Sequence, residues 1–273
     1  MRLLSNRLVT GVCAFAAFVL FGLMAQDVVA WTFFLIVLFL AGMEWGGLSG
    51  LQSICGKTVY SLSVCVLSVV ALDLITVAEV NRQLAADSAL VLWLAAVFWL
   101  GLYQKTGKGI TTNKIILATV GVLVLVSMAV SVMTIKSSNL YFLLSLVLVV
   151  SCADISAFVG GKLFGRHKLM PNVSPGKTWE GLIFGILGAM LIGNLIYLVN
   201  PVPNLYIWNA VVAITTLAAV VGDLFESMIK RFRKVKNSGT VLPGHGGVLD
   251  RLDSVCAAAP VYLCALLHMG YIA

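Results

Sequence analysis

The chain has 273 residues, of which 60% are hydrophobic and only 11% charged. Soluble domains carry about 25% charged and about 45–50% apolar residues, so a water-soluble fold is excluded. The formal charge of +7 could suit nucleic acid. The basic residues, however, sit in short segments between apolar runs, which excludes that partner as well.

A membrane-spanning helix needs roughly 20 mostly apolar residues. Nine segments qualify: 8–26, 28–46, 58–78, 88–104, 114–134, 139–160, 179–199, 206–227 and 254–271. The short alternating segments of a β-barrel are absent. The basic start, residues 1–7, resembles a signal peptide. The apolar run after it is long and eight more follow, so it reads as an uncleaved first helix. With the N-terminus inside, only Arg82 and Lys136 fall outside, leaving 16 of the 18 Lys and Arg on the inner side. The positive-inside rule then sets the orientation. The expectation is an all-α polytopic membrane protein of about nine helices, N-in and C-out, with cytoplasmic polar loops forming any site. A bacterial inner (cytoplasmic) membrane suits so short a chain with a minimal N-terminus.

The halves differ. Residues 1–150 hold five plain spans with short loops. Glu44 and Asp73 lie in or near these spans without a motif, and read as snorkelling or helix-pairing residues. Residues 151–273 hold six of the eleven acids and both long polar loops, 161–178 and 228–253. The six cysteines form no CxxC pair and mostly lie in apolar runs, which makes them small buried hydrophobes. Chemistry is expected in 151–273.

Three segments there could carry it. Asp154 stands inside an apolar run ahead of Gly160, Gly161, Lys162 and Gly165. A charge at that depth costs about 2.5–3.5 kcal/mol on insertion scales, so it faces a polar cavity or a partner. Next, Ser174-Pro-Gly-Lys177-Thr178-Trp-Glu180-Gly181 precedes a span. A P-loop would need glycine where Pro171 stands. What remains is a Ser/Thr-rich turn with one lysine at a helix N-terminus, read equally as an anion site or as a cap with an interfacial lysine.

The third segment runs from Asp223 to Asp253. Asp223, Glu226, Ser227 and Lys230 share one helix face, and Asp250 and Asp253 share another one turn apart. Between them lie Arg231, Arg233, Lys234 and Lys236, then the loop Pro243-Gly-His245-Gly246-Gly247. Carboxylates beside a dense basic cluster suggest a triphosphate site, because Mg²⁺ binds through one or two carboxylates plus substrate phosphates. A basic stripe against anionic lipid accounts for Arg231, Arg233 and Lys234 equally well, but not for two aspartates beside a Gly-rich turn. His167 and His268 carry no signal.

This segment resembles the signature of the phosphatidate cytidylyltransferase family. The matching positions are Ser227, Lys230, Arg231, Lys236, Gly239, Leu242, Pro243, His245, Gly246, Gly247, Val248, Asp250, Arg251, Leu252 and Asp253. The stretches Asp154–Gly165 and Ser174–Gly181 also look like the family's, so the specific resemblance covers residues 151–255. One position departs: Asn237 stands where the signature has aspartate. Asparagine keeps an oxygen acceptor but loses the charge, so weaker cation binding is the expected direction.

The resemblance implies transfer of the cytidylyl group of CTP to phosphatidic acid, giving CDP-diacylglycerol and pyrophosphate. It further implies Mg²⁺, a second cation such as K⁺, membrane lipid as the source of substrate, and a homodimer. A phosphate monoester is already largely ionised, its second pKa being near 6, so the reaction needs positioning and cations more than a base. On that logic Asp223 and Asp250 are the expected metal ligands, with Asp253 a third. Lys230, Arg231, Lys236 and Arg251 are expected at the phosphates. Ser174, Lys177, Thr178, Ser227, His245, Gly246, Gly247 and Asp154 complete the expected substrate site. Three rival readings exist: a CTP-dependent polyprenol or lipid kinase, which would release CDP, a cation or proton transporter using the intramembrane acids, and a non-catalytic member of the same family, which Asn237 keeps open.

Overall fold

The computed structural model describes residues 27–76, 82–107, 113–239 and 246–272. The expected first span, 8–26, and His245 lie outside the described residues. In chain order the elements are α1 (Asp27–Ser49), α2 (Ile54–Thr76), α3 (Arg82–Thr106), α4 (Lys114–Ser138), α5 (Leu140–Phe164), β1 (Lys168–Met170), β2 (Ser174–Thr178), α6 (Trp179–Val199), α7 (Leu205–Phe232) and α8 (Leu249–His268). α1 to α7 are all long and apolar enough to cross a membrane. α8 opens instead on Asp250, Arg251 and Asp253 before its apolar part. The chain is therefore an all-α membrane protein, and each expected span after the first coincides with a helix.

Backbone groups freed at helix ends need partners, and short polar side chains supply them. The Asn113 side chain accepts from the N–H of Ile115 at 2.8 Å, Asn139 from Tyr141 at 2.9 Å, and Asn204 from Tyr206 at 2.9 Å. Apolar side chains such as Leu191, Leu195 and Leu198 stay exposed on the outside, where lipid is the solvent. Inside, α4 and α8 form the centre, with Leu125, Met128, Ala257, Ala258 and Leu266 fully buried.

Because lipid gives no hydrophobic drive between helices, close packing does the work. α5 and α6 approach through glycine: a Cβ on Gly181 would lie 2.9 Å from the Ala157 carbonyl oxygen, and one on Gly185 3.2 Å from that of Ala153. A Cβ on Gly222 of α7 would overlap the carbonyl oxygen of Asp253 on α8. Those two contacts bring Asp154, Asp223 and Asp253 to the same end of the bundle.

At the opposite end, His268 Nε2 lies 2.9 Å from Asp87 Oδ1, and the Cys264 thiol donates to the same oxygen at 3.3 Å. These contacts tie the C-terminal end of α8 to the start of α3. β1 and β2 form an antiparallel ribbon pairing Lys168 with Thr178 and Met170 with Ser174. The sequence reading had a plain turn at Ser174–Thr178; Ser174 and Thr178 instead sit on a paired strand.

Candidate active site

The site lies where the ends of α5, α7 and β2 meet the start of α8. Thr178 is the N-cap of α6, its Oγ1 accepting from the Gly181 N–H at 3.1 Å, and it is buried. That cap turns Lys177 back toward α7, where its Nζ lies 2.6 Å from Asp223 Oδ2. The Ser227 hydroxyl, one turn further along α7, donates to Asp223 Oδ1 at 3.3 Å.

Lys230 continues the same face and is buried between two acids, its Nζ 3.2 Å from Glu226 Oε1 and 2.7 Å from Asp250 Oδ1. Lys230 was expected to meet phosphate; here it joins α7 to α8. Glu226 is 2% exposed and, among the described residues, accepts no further hydrogen bond. Asp250 is better supplied. Its Oδ2 accepts from the N–H groups of Gly247 at 2.8 Å and Ser238 at 3.1 Å. Burial opposes ionisation of Asp250, but Lys230 and those N–H groups outweigh it and hold its carboxyl below the ordinary range.

Asp253 Oδ1 accepts from the N–H of Ser254 at 2.7 Å, and the Ser254 hydroxyl reaches Asp154 Oδ2 at 3.4 Å. Asp154, Asp223, Glu226 and Asp253 are close enough to interact electrostatically. With Asp250, five carboxylates from three helices thus face two ammonium groups, Lys177 and Lys230. Oxygen-rich sets with surplus negative charge suit a hard cation. Of the expected ligands, Asp223 and Asp253 lie in the cluster, Asp223 paired with Lys177, and Asp250 lies at its edge beside Lys230.

Other expected residues are placed around this centre. Arg231 Nε donates to the Val173 carbonyl at 3.2 Å, fastening the β1–β2 turn to α7. Lys236 and Asn237 are exposed on the following loop. The Asn237 side chain lies against Gly246, whose Cβ would be 3.5 Å from Asn237 Cγ and 2.7 Å from Asp250 Oδ2. Gly246 has φ +91°, a conformation glycine adopts freely. Arg233, which a lipid-facing stripe would have explained, instead donates to the Leu48 carbonyl at 2.6 Å and to that of Ser49. Glu180 accepts from the N–H groups of Arg166 at 3.1 Å and His167 at 3.2 Å, and meets His167 Nδ1 at 2.6 Å. It closes the turn between α5 and β1.

The sequence reading had Glu44 as a snorkelling or helix-pairing residue and did not place it at the site. This α1 residue is 6% exposed and reaches the signature loop: Oε2 accepts from the Ser238 hydroxyl at 2.9 Å and the Leu249 N–H at 2.8 Å, and Oε1 from the Val248 N–H at 3.0 Å. The acid does not snorkel. The one signal available was the acid itself, since a carboxylate in an apolar span needs a partner.

The profile of the cytidylyltransferase family matches residues 5–269. The chain belongs to the cytidylyltransferase family. Among its relatives, the phosphatidate cytidylyltransferase of Pseudomonas aeruginosa is 32% identical over 250 residues, covering 86% of each chain. That of Haemophilus influenzae is 34% identical over 207 residues, 70% of this chain and 71% of the relative. That of Rickettsia bellii is 36% identical over 196 residues, 63% of this chain and 80% of the relative. Family membership thus extends over the N-terminal helices, where the sequence itself offered only hydropathy and length.

Proposed function

We infer that the chain is a phosphatidate cytidylyltransferase, which joins CTP to phosphatidic acid in phospholipid synthesis and releases pyrophosphate. The observation that carries this reading is the convergence of Asp154, Asp223, Glu226, Asp250 and Asp253 with Lys177 and Lys230, built largely from the signature segment.

In the reaction a phosphatidate oxygen forms a bond to the α-phosphorus of CTP while the bond from that phosphorus to the bridging oxygen breaks. The nucleophile is already ionised near neutral pH, so the chain need not remove a proton. Its task is to hold two anions together and neutralise the leaving pyrophosphate. Asp223 and Asp253, with Asp250, would hold Mg²⁺, which when bound offsets phosphate charge. Lys177 and Lys230 keep these carboxylates oriented. Arg251, Lys236 and Arg231 stand on the same side, where the triphosphate would approach, with Ser174, Gly246 and Gly247 lining the loops. Phosphatidic acid would arrive from the surrounding leaflet.

We further propose nine spans, with the site facing the cytoplasm of a bacterial inner membrane. α1 to α8 alternate in direction, so the start of α1 lies opposite the site, and a span over 8–26 would return the N-terminus to the site's side. The basic residues Lys57, Lys105, Lys114 and Lys162 then share that side.

The test is turnover by purified protein in mixed micelles with phosphatidic acid, Mg²⁺ and CTP, with ATP as control. Pyrophosphate and lipid-bound cytidine should rise together with CTP alone. Release of CDP with a phosphorylated lipid would make the chain a kinase instead. Asp223→Asn and Asp250→Asn should each lower turnover at least a hundredfold; near-normal rates would remove them from the metal site.

A further inference from the structure

We propose that Glu44 is a positioning residue for cytidylyl transfer, setting the geometry of Asp250 from the N-terminal half of the chain. The proposal rests on the activity inferred above. Glu44 touches none of the reacting groups; it acts through Ser238 and through the start of α8.

Ser238 joins the two acids. Its hydroxyl donates to Glu44 Oε2 at 2.9 Å, while its N–H donates to Asp250, 3.1 Å from Oδ2 and 3.3 Å from Oδ1. The position of Ser238 is thus set by one carboxylate and passed on to the other. The second route is the helix. The N-cap of α8 is Val248, which has no side-chain hydrogen bond to offer its first N–H groups. Glu44 supplies what valine cannot, accepting from Val248 and Leu249, and places negative charge at the positive end of the helix that carries Asp250 and Asp253.

The carboxylate also explains two glycines of the signature. A Cβ on Gly239 would overlap Glu44 Oε1, and one on Gly247 would overlap Glu44 Oε2. Gly247 in turn donates its N–H to Asp250 Oδ2 at 2.8 Å. Ser238 and Gly239 on one side of the loop and Gly247 and Val248 on the other close on Glu44, and Ser238 and Gly247 also donate to Asp250.

Chemistry requires an acid here and not merely a polar group. Three donors converge on Glu44, and both of its oxygens accept. A carboxylate offers acceptors at both oxygens, whereas glutamine in either orientation would turn its NH₂ toward the N–H of Val248 or of Leu249. Glu44→Gln is almost isosteric, so its effect reports the hydrogen bonds and charge and not a lost volume.

Two readouts on purified protein in detergent test the role. The first is Mn²⁺ binding followed by the spin-resonance signal of the free ion, without substrates. The second is turnover against Mg²⁺ concentration. Partners that orient metal ligands are worth roughly 10–100-fold in affinity or activity. Glu44→Gln should weaken Mn²⁺ binding and lower kcat by an amount in that range, with KM for phosphatidic acid little changed. Ser238→Ala should shift both readouts the same way. It keeps the Glu44 contacts to α8, so it remains informative if Glu44→Gln fails to fold. The double variant should be no worse than Glu44→Gln alone, because Glu44→Gln already disturbs the route through Ser238 that Ser238→Ala removes. Leu125→Ala, a core truncation on α4, serves as a destabilised control and should leave the Mn²⁺ affinity unchanged.

Unchanged Mn²⁺ affinity in both Glu44→Gln and Ser238→Ala would overturn the positioning role while leaving the enzyme's activity standing. So would fully additive losses in the double variant. A wild-type protein inactive with CTP and phosphatidic acid would overturn the activity, and the proposal with it.

Discussion

Lys230 has 10% of its side chain exposed and Glu226 3%, so Lys230 compensates Glu226 for leaving water while itself also pairing with Asp250 at 2.7 Å. Removing one member of such a pair strands a buried charge, which costs about 3–5 kcal/mol, whereas removing both together often costs little. Lys230→Met should therefore lower thermal stability in detergent sharply, and the double variant Glu226→Gln/Lys230→Met should recover part of the loss. A double variant as unstable as the single would mean that Asp250, not Glu226, is the partner that matters. Asn237 presents the reverse case, a missing charge. Its side chain lies against Gly246 and so beside Asp250. Asn237→Asp would add a carboxylate at the edge of the cluster, and ligand charge count is one of the quantities that sets cation affinity. The Mg²⁺ concentration giving half-maximal turnover should fall several-fold; an unchanged value would place residue 237 outside the metal's reach.

Helix contacts decide where these side chains meet. α7 and α8 touch backbone to backbone at Gly222, where any Cβ would overlap the Asp253 carbonyl. Gly222→Ala must push the helices apart, and overpacking of this kind costs about 1–3 kcal/mol. Turnover should fall further than stability, because the displaced segment carries Asp253. Gly101 on α3 has nothing within 4 Å of its would-be Cβ. Gly101→Ala should leave turnover intact and stabilise by about 0.4–1 kcal/mol, since alanine restricts the unfolded chain. Equal effects of the two substitutions would dismiss the close contact as the cause. At this scale the sequence was legible where lipid imposes length: the runs at 114–134 and 179–199 fall on α4 and α6. Helix ends were less so, because α3 begins at Arg82 and ends at Thr106, its polar ends lying outside the apolar run. The Asp223, Glu226 and Lys230 face was legible from i, i+3 and i, i+4 spacing. The β1–β2 ribbon was hidden because Pro175-Gly176 reads as a turn and each strand is too short for alternation to show. Glu44 was hidden for a different reason: its partner Ser238 is 194 residues away, and no local spacing reports such a contact.

Across the molecule, polar chemistry and basic charge share one end of the bundle. Ser49, Lys57, Lys105, Phe164 and Arg233 lie at the helix ends near the site, and Arg233 grips the α1 carbonyls there. At the other end are the α6–α7 turn around Pro201, the Tyr271 hydroxyl donating to Asn204 at 3.4 Å, and the His268 contact with Asp87. If the first end faces the cytoplasm, CTP meets the site directly and the product stays in the leaflet where it formed. A membrane-impermeant maleimide applied to intact spheroplasts distinguishes the two orientations. In a chain whose cysteines are replaced by serine, Pro201→Cys should be labelled from outside, while Lys236→Cys should be labelled only after the membrane is opened. Both positions are exposed on the protein, so burial does not limit the reagent. The reverse pattern would put the carboxylate cluster on the outer face, away from the cellular nucleotide pool, and no CTP-dependent enzyme could work there. The basic asymmetry and the site must therefore point the same way, and this one labelling pair tests both at once.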